Sequence, residues 1–209
     1  DARVAFIQAS LVELDSVLRT LAGHPDAGLI VCHGQARDAV PALADRLAVD
    51  AVFTHHDDEP LALDRDAQVR SALASARRAF HTYKDHTVFE RDELLTQSGT
   101  PYSVFTPYKN AWLRKVDAFY LSAYPVNDKA QALAPRPDWA RGPVPSLQDI
   151  GFTPPSPLRQ RLPTGSSGAR QLLDDFLTRI DRYDSARDFP AIKGPSYLSP
   201  HLRFGTISV

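Results

Sequence analysis

The chain has 209 residues, 43% of them hydrophobic, with 24 Lys and Arg against 25 Asp and Glu for a net charge of -1. That content supports one large or two ordinary cored domains and removes any whole-chain electrostatic case for nucleic acid, leaving only local patches. The single cysteine, Cys32, excludes an internal disulfide and a cysteine-rich zinc site, and no apolar run reaches the roughly 20 residues of a membrane span, so a cytoplasmic protein without a membrane partner is expected.

In chain order, Leu11, Leu14, Leu18 and Leu21 recur at helical spacing within Ala9 to Leu21, and Gly23 supplies a stop. The apolar run Gly28 to Cys32, ended by His33 and Gly34, predicts a buried strand with Cys32 in the core. Ala36 to Leu47 predicts a second helix, Ala51 to Thr54 a second strand, and Asp64 to Phe80 a third helix. This alternation with short connections reads as an α/β fold with a Rossmann-like parallel sheet and right-handed crossovers. The chain lacks methionine, opens at Asp1 and reaches Val209 inside a helical pattern, so it reads as a fragment whose preceding strand is missing and whose sheet edge is exposed.

Further along, Tyr108, Ala111, Trp112, Lys115 and Phe119 follow a helical repeat from Tyr108 to Leu121, with Thr106 opening the helix, Pro107 at its first position and Trp112 as the anchor. Nine of the 17 prolines then fall between Pro125 and Pro163, which reads as a stiff, extended linker attached through Trp139, Leu147, Ile150 and Phe152. After Thr164 to Gly168, the residues Leu172, Leu173, Phe176, Leu177 and Ile180 mark an amphipathic helix ending near Tyr183, the start of a helical domain. The expected domains are therefore 1–124, α/β; 125–165, linker; and 166–209, helical.

The residues with most chemistry lie near the carboxyl end. Pro190 and Gly194 break the chain, and Ser196 and Ser199 bring hydroxyls to the first turn of a further helix, where unpaired amides welcome an anion. Tyr183, Arg187 and Lys193 approach the same turn and suit a pyrophosphate or nucleic-acid backbone; the plainer reading of the two serines is helix capping. His55, His56, Asp57, Asp58 and Glu59 carry ligand chemistry, but neighbours on a strand point to opposite faces, so no metal is assigned. Asp85, His86 and Glu90 lack a nucleophile at a recognisable spacing and read as a solvated loop or hydrogen-bonded support.

Taken together, Tyr102 to Trp112, the proline-rich connection and the segment Tyr183 to Ser208 resemble the photolyase and cryptochrome family, most closely a bacterial cyclobutane pyrimidine dimer photolyase. The resemblance implies an amino-terminal antenna domain, a connector, and the truncated beginning of an all-α domain that holds FAD in a bent shape. It implies FAD contacts from Tyr183 and from Pro195, Ser196, Tyr197, Leu198 and Ser199, where Pro195 replaces a threonine and removes a hydroxyl and an amide donor. Arg187 matches an arginine that approaches DNA, with pairing to Asp184 or Asp188 as its alternative. Ser98 and Thr100 stand where folate-using relatives carry an Asn-x-Glu element, which leaves folate, deazaflavin or no antenna open. The implied activity is a light-driven DNA-repair lyase acting on pyrimidine dimers as a monomer, with catalytic residues beyond Val209 and a fragment inactive alone. The alternative is a cryptochrome-type photoreceptor without repair activity.

Overall fold

The computed structural model describes residues 1–154 and 162–209. They form two compact units, one made of Asp1–His33 with Val126–Ser208 and the other of Gly34–Pro125. The part of the expected linker at 155–161, with Pro155 and Pro157, lies outside the described residues.

In the second unit, α2 (Ala36–Arg46) and α3 (Pro60–Ser75) pack together over a parallel pair, β1 (Ala51–His55) and β2 (Ala79–Tyr83). The register runs from Ala51 opposite Ala79 to His55 opposite Tyr83. Ala44, Val69 and Leu73 are buried at the centre, with Val40, Val49, Val52 and Phe80 packed around them. This is the α/β arrangement expected from the alternating pattern, and its parallel pairing holds.

One expected element divides. The helix predicted to run to Phe80 stops at Ser75, because Arg77 takes a left-handed φ of 57° and the Arg78 amide returns to Leu73 O at 2.9 Å. Ala79 then donates to Asp50 O at 2.9 Å, and Phe80 and Thr82 alternate inward while Ala79, His81 and Tyr83 face out. That two-residue period is the signature of a strand, and a longer helical period hid it.

The third helix of this unit, α4 (Phe105–Lys115), begins one residue before Thr106, so Pro107 occupies its third position rather than its first. The shift is harmless, since amides in a helix's first turn have no intrahelical acceptor for proline to forfeit. Trp112 meets the buried Phe89 edge-on at 5.7 Å, and Phe89 also meets Tyr120 at 4.8 Å. The helix ends before Phe119, which is exposed.

In the first unit, α1 (Ala2–Ala22) starts earlier than the leucine spacing predicts, because Asp1 accepts the Arg3 amide at 2.9 Å as its N-cap. It closes on Gly23 as expected. Its deepest residues are Ala5, Phe6 and Asp15, whereas Leu14 is exposed. Asp15 is buried because Arg19 and the Leu29 amide, the latter at 2.8 Å, both donate to its carboxylate.

The same contacts explain why the strand predicted at Gly28 to Cys32 does not form. The Leu29 N–H goes to Asp15 and the Leu29 carbonyl to Arg136 Nη1 at 2.9 Å, so side chains take the groups a ladder would pair. Gly28, at φ 126°, lets this backbone approach; an added Cβ would stand 2.3 Å from Asp15 Oδ1. Cys32 is exposed, not in the core as expected.

Residues 127–132 and 138–140 make short 3-10 turns, and between them the buried Arg136 donates to the carbonyls of Asp26, Leu29 and Gly142. The proline-rich stretch is thus anchored by a cation as well as by three of the four expected apolar residues: Leu147, Ile150 and Phe152 are half-buried, whereas Trp139 is exposed, contrary to expectation. α5 (Gly165–Leu177) follows, packed on α1, and buries Gly165, Gly168, Ala169 and Leu172. Its N-cap position, Thr164, supplies no side-chain bond; instead Glu13 of α1 accepts the Ser167 amide at 2.8 Å and the Ser167 hydroxyl at 2.7 Å.

The helix predicted to reach Tyr183 is interrupted at Thr178, resumes as a 3-10 turn at Ile180–Arg182, and continues as α6 (Tyr183–Ala186). A last short helix, α7, spans Ser199–Arg203. Among the described residues, no helix is long and apolar enough to cross a membrane.

Candidate functional site

The turn between α6 and α7 is built backwards from proline and glycine chemistry. Pro190 cannot extend α6, and Gly194 is buried so closely on the end of that helix that a Cβ would lie 2.6 Å from Ala186 O. Pro195 follows with no amide to donate. Ser196 then accepts the Leu198 amide on its Oγ at 3.3 Å, and Tyr197 between them holds a left-handed φ of 60°. A tyrosine in that conformation costs on the order of 1–3 kcal/mol and persists only where its surroundings over-determine it.

The two serines do not share the position predicted for them. Ser199 is the first residue of α7 and is exposed, whereas Ser196 lies ahead of the helix and binds Leu198 in a local turn, not a first-turn amide. Pro200 occupies the following helical position, which removes one amide donor there. Leu198 is buried and fastens the turn from below, while Tyr197 remains exposed.

Around this turn, Tyr183 opens α6 with Phe176 edge-on at 5.7 Å and the Arg187 guanidinium over its ring at 5.7 Å. Arg187 is half exposed and holds Asp188 loosely at 3.8 Å; Asp184 instead accepts the Ser185 amide at 2.8 Å. Lys193 donates to Asp175 Oδ1 at 2.8 Å. These bonds, with a second from Arg179, hold the Asp175 carboxyl below the usual carboxylate range, the Lys193 bond contributing most. Arg179, Arg182, Ser185, Ala186, Ile192, Lys193 and Gly194 line a groove of about 360 Å³.

Sequence reasoning missed Arg179. It donates to Lys193 O at 2.9 Å, to Gly194 O at 2.7 Å and to Asp175 Oδ2 at 2.8 Å. Its spacing four residues after Asp175 was a legible helical pair, but its reach to the later turn was not.

In the other unit, the histidine pair diverges as a strand requires: His55 faces Asp85 at 3.3 Å and His56 bonds Glu90 at 2.9 Å. Glu90 thus acts as hydrogen-bonded support, whereas Asp85 lies beside His55 at the surface. His56, Asp57, Asp66, Arg70, Thr82 and Arg91, with Leu63 and Ala67, border a cavity of about 240 Å³ near the carboxyl ends of the strands. Among the described residues no group of three His, Cys, Asp or Glu is placed to hold a metal. Ser98 and Thr100 bond to Thr96 and to each other, with Thr96 to Thr100 at 2.8 Å.

Comparison with known proteins gives this geometry its context. Residues 1–132 match the family model described as DNA photolyase. The chain is 37% identical to a deoxyribodipyrimidine photo-lyase of Halobacterium salinarum over 99% of its own length and 42% of that protein's. Among solved structures, it resembles a bacterial class III photolyase from Agrobacterium tumefaciens with a TM-score of 0.81 and 28% identity, over 99% of this chain and 42% of that one. It also resembles an archaeal photolyase from Sulfolobus tokodaii, solved with two FAD molecules, with a TM-score of 0.63 and 27% identity over 99% and 41% of the two chains. The chain therefore spans about 42% of the length of such relatives.

Proposed function

This chain belongs to the DNA photolyase family, and from that premise we propose that the whole protein is a light-dependent repair lyase that splits cyclobutane pyrimidine dimers with reduced FAD. In this reading residues 1–124 contribute to the antenna domain, 125–165 connect, and 166–209 open the FAD-binding domain. The observation that carries it is the turn from Gly194 to Ser199, which offers two hydroxyls and a constrained Tyr197 at the close of a chain related to photolyases.

The residues fit the cofactor. Ser196 and Ser199 supply neutral donors for a diphosphate, Tyr183 and Tyr197 supply aromatic surface, and Gly194, where a Cβ would meet the Ala186 carbonyl, lets the turn pack on the end of α6. Pro195 and Leu198 shape the turn without donating from their side chains, and Pro195 lacks even the amide. When bound, reduced FAD supplies the photochemical electron for dimer cleavage. The work of this chain is to orient the diphosphate and to keep the charge of Arg187 available to a DNA phosphate, its pairing with Asp188 being long. An antenna chromophore belongs to the same reading, its identity open between folate and deazaflavin; the hydroxyls at Ser98 and Thr100 are engaged within their own turn.

The test is to express the full-length protein, record its visible spectrum and follow repair of dimer-containing DNA under blue light. A flavin spectrum with light-dependent repair supports the proposal. Flavin without repair points to a cryptochrome-type photoreceptor, and folded full-length protein that takes up no flavin overturns both. Loss of damaged-DNA binding on Arg187→Ala, with flavin content unchanged, is expected.

A further inference from the structure

We infer that Arg179 is a positioning residue for the cofactor turn, acting through the carbonyls of Lys193 and Gly194 to set where Ser196 stands; this rests on the reading of Ser196 given above. The argument begins with proline. Pro195 has no N–H and the Gly194 N–H bonds locally to Ile192 O at 2.8 Å, so the Lys193 and Gly194 carbonyls are the backbone groups that tie this point of the chain to Arg179. Both of those carbonyls are taken by one nitrogen, Arg179 Nη1, at 2.9 and 2.7 Å.

The guanidinium is itself held. Its side chain is 12% exposed, Nη2 donates to Asp175 at 2.8 Å, and its plane lies against the Phe176 ring at 5.3 Å. Asp175 takes Lys193 Nζ on its other oxygen, so a single carboxylate ties the cation and the segment the cation binds. From the opposite side Gly194 rests on the Ala186 and Arg187 backbone. A planar fork with several donors in fixed directions suits this task; an ammonium, a point charge, does not reproduce it.

Only Pro195 separates Gly194 from Ser196, whose hydroxyl accepts the Leu198 amide within the turn. Displacing the Gly194 carbonyl therefore moves the hydroxyl that would meet the diphosphate. The energy of cofactor binding would then go into ordering the turn, which is the cost preorganisation removes.

The experiment uses the full-length protein stripped of flavin and titrated with FAD, followed by quenching of flavin fluorescence, at a temperature where circular dichroism shows every variant folded. Ser196→Ala and Arg179→Gln are each expected to weaken FAD by about tenfold, and the double variant by little more than either alone, because both act on one contact. Arg179→Lys, which restores charge without the fork, is expected to recover only part of the loss. If Ser196→Ala leaves FAD affinity unchanged, the reading of the serine is wrong and this inference goes with it. If Ser196→Ala weakens FAD while Arg179→Gln binds as the parent does, or if the two effects simply add, the inference alone is overturned. Should Arg179→Gln fail to fold, Asp175→Asn, which keeps the guanidinium and removes its charged partner, is judged by the same non-additivity with Ser196→Ala.

Discussion

Replacing the buried Arg136 by methionine isolates what one cation does for the proline-rich stretch. The backbone amide of Arg136 also donates to Asp26 O, at 2.8 Å, so that carbonyl keeps a partner after the substitution. The carbonyls of Leu29 and Gly142 lose their guanidinium donor. Asp15 loses a cation 3.8 Å away but retains Arg19 and the Leu29 amide. At about 1 kcal/mol or somewhat more for each orphaned carbonyl, and a further contribution from the weakened ion pair, Arg136→Met should cost about 3 kcal/mol. With an m-value of about 2 kcal/mol/M, the urea midpoint falls by about 1.5 M. The two tryptophans lie in different units, so a Trp112→Phe background leaves Trp139 as the fluorescent reporter beside the substituted residue. Arg141→Met is the control: its side chain is 43% exposed and its pairs with Asp26 and Asp138 are at the surface, so it should cost less than about 1 kcal/mol. Equal midpoints for the two variants would refute the claim that burial, and not the mere presence of arginine, makes the anchor.

Other expectations follow from the same geometry. Leu73→Ala empties the centre of the α2 and α3 core and should cost about 3–5 kcal/mol in chemical denaturation, with a loss below about 1 kcal/mol contradicting the assignment of that core. Glu13→Ala removes the acceptor at the start of α5 and should cost about 1–2 kcal/mol, with faster hydrogen exchange at Ser167; unchanged exchange there would mean the carboxylate is not its cap. His201 is buried, bonds Thr206 through Nδ1 at 2.7 Å, and buries Nε2 without a hydrogen-bond partner. Burial depresses its pKa despite Glu13 nearby, so the unfolded chain takes up a proton first and stability is lost as pH falls below about 6.5. Urea midpoints between pH 5 and 8 should show that slope, and His201→Gln should flatten it.

Local structure is legible in the sequence where one periodicity governs a segment. α2 and β1 appear within a residue or so of the bounds their apolar spacing predicts, and Gly23 ends α1 as its position suggests. Structure departs from the pattern where another interaction overrides it. The extended run at Gly28 to Cys32 has a strand's composition, yet Asp15 and Arg136 take the backbone groups of Leu29 that a ladder needs. β2 was absorbed into a helix because Arg77, a residue with no particular turn preference, makes the left-handed break. At the candidate turn, the sequence makes Tyr183, Ser196 and Ser199 legible through their residue types. It did not identify Arg179, whose importance comes from contacts with residues 14 and 15 positions later, beyond the range of helical periodicity.

The carboxylate at the beginning of α5 also bears on how the polypeptide is made. Glu13 and Ser167 are 154 positions apart, so a ribosome must add that whole interval before the bond can close. Until then Glu13 is synthesised but lacks this partner, and the beginning of α5 takes its capping group from a segment made 154 positions earlier. Long loop closure is entropically slow compared with neighbouring contacts. The first unit, whose two segments flank an inserted one, thus completes its assembly only after the intervening Gly34–Pro125 has emerged and had time to fold.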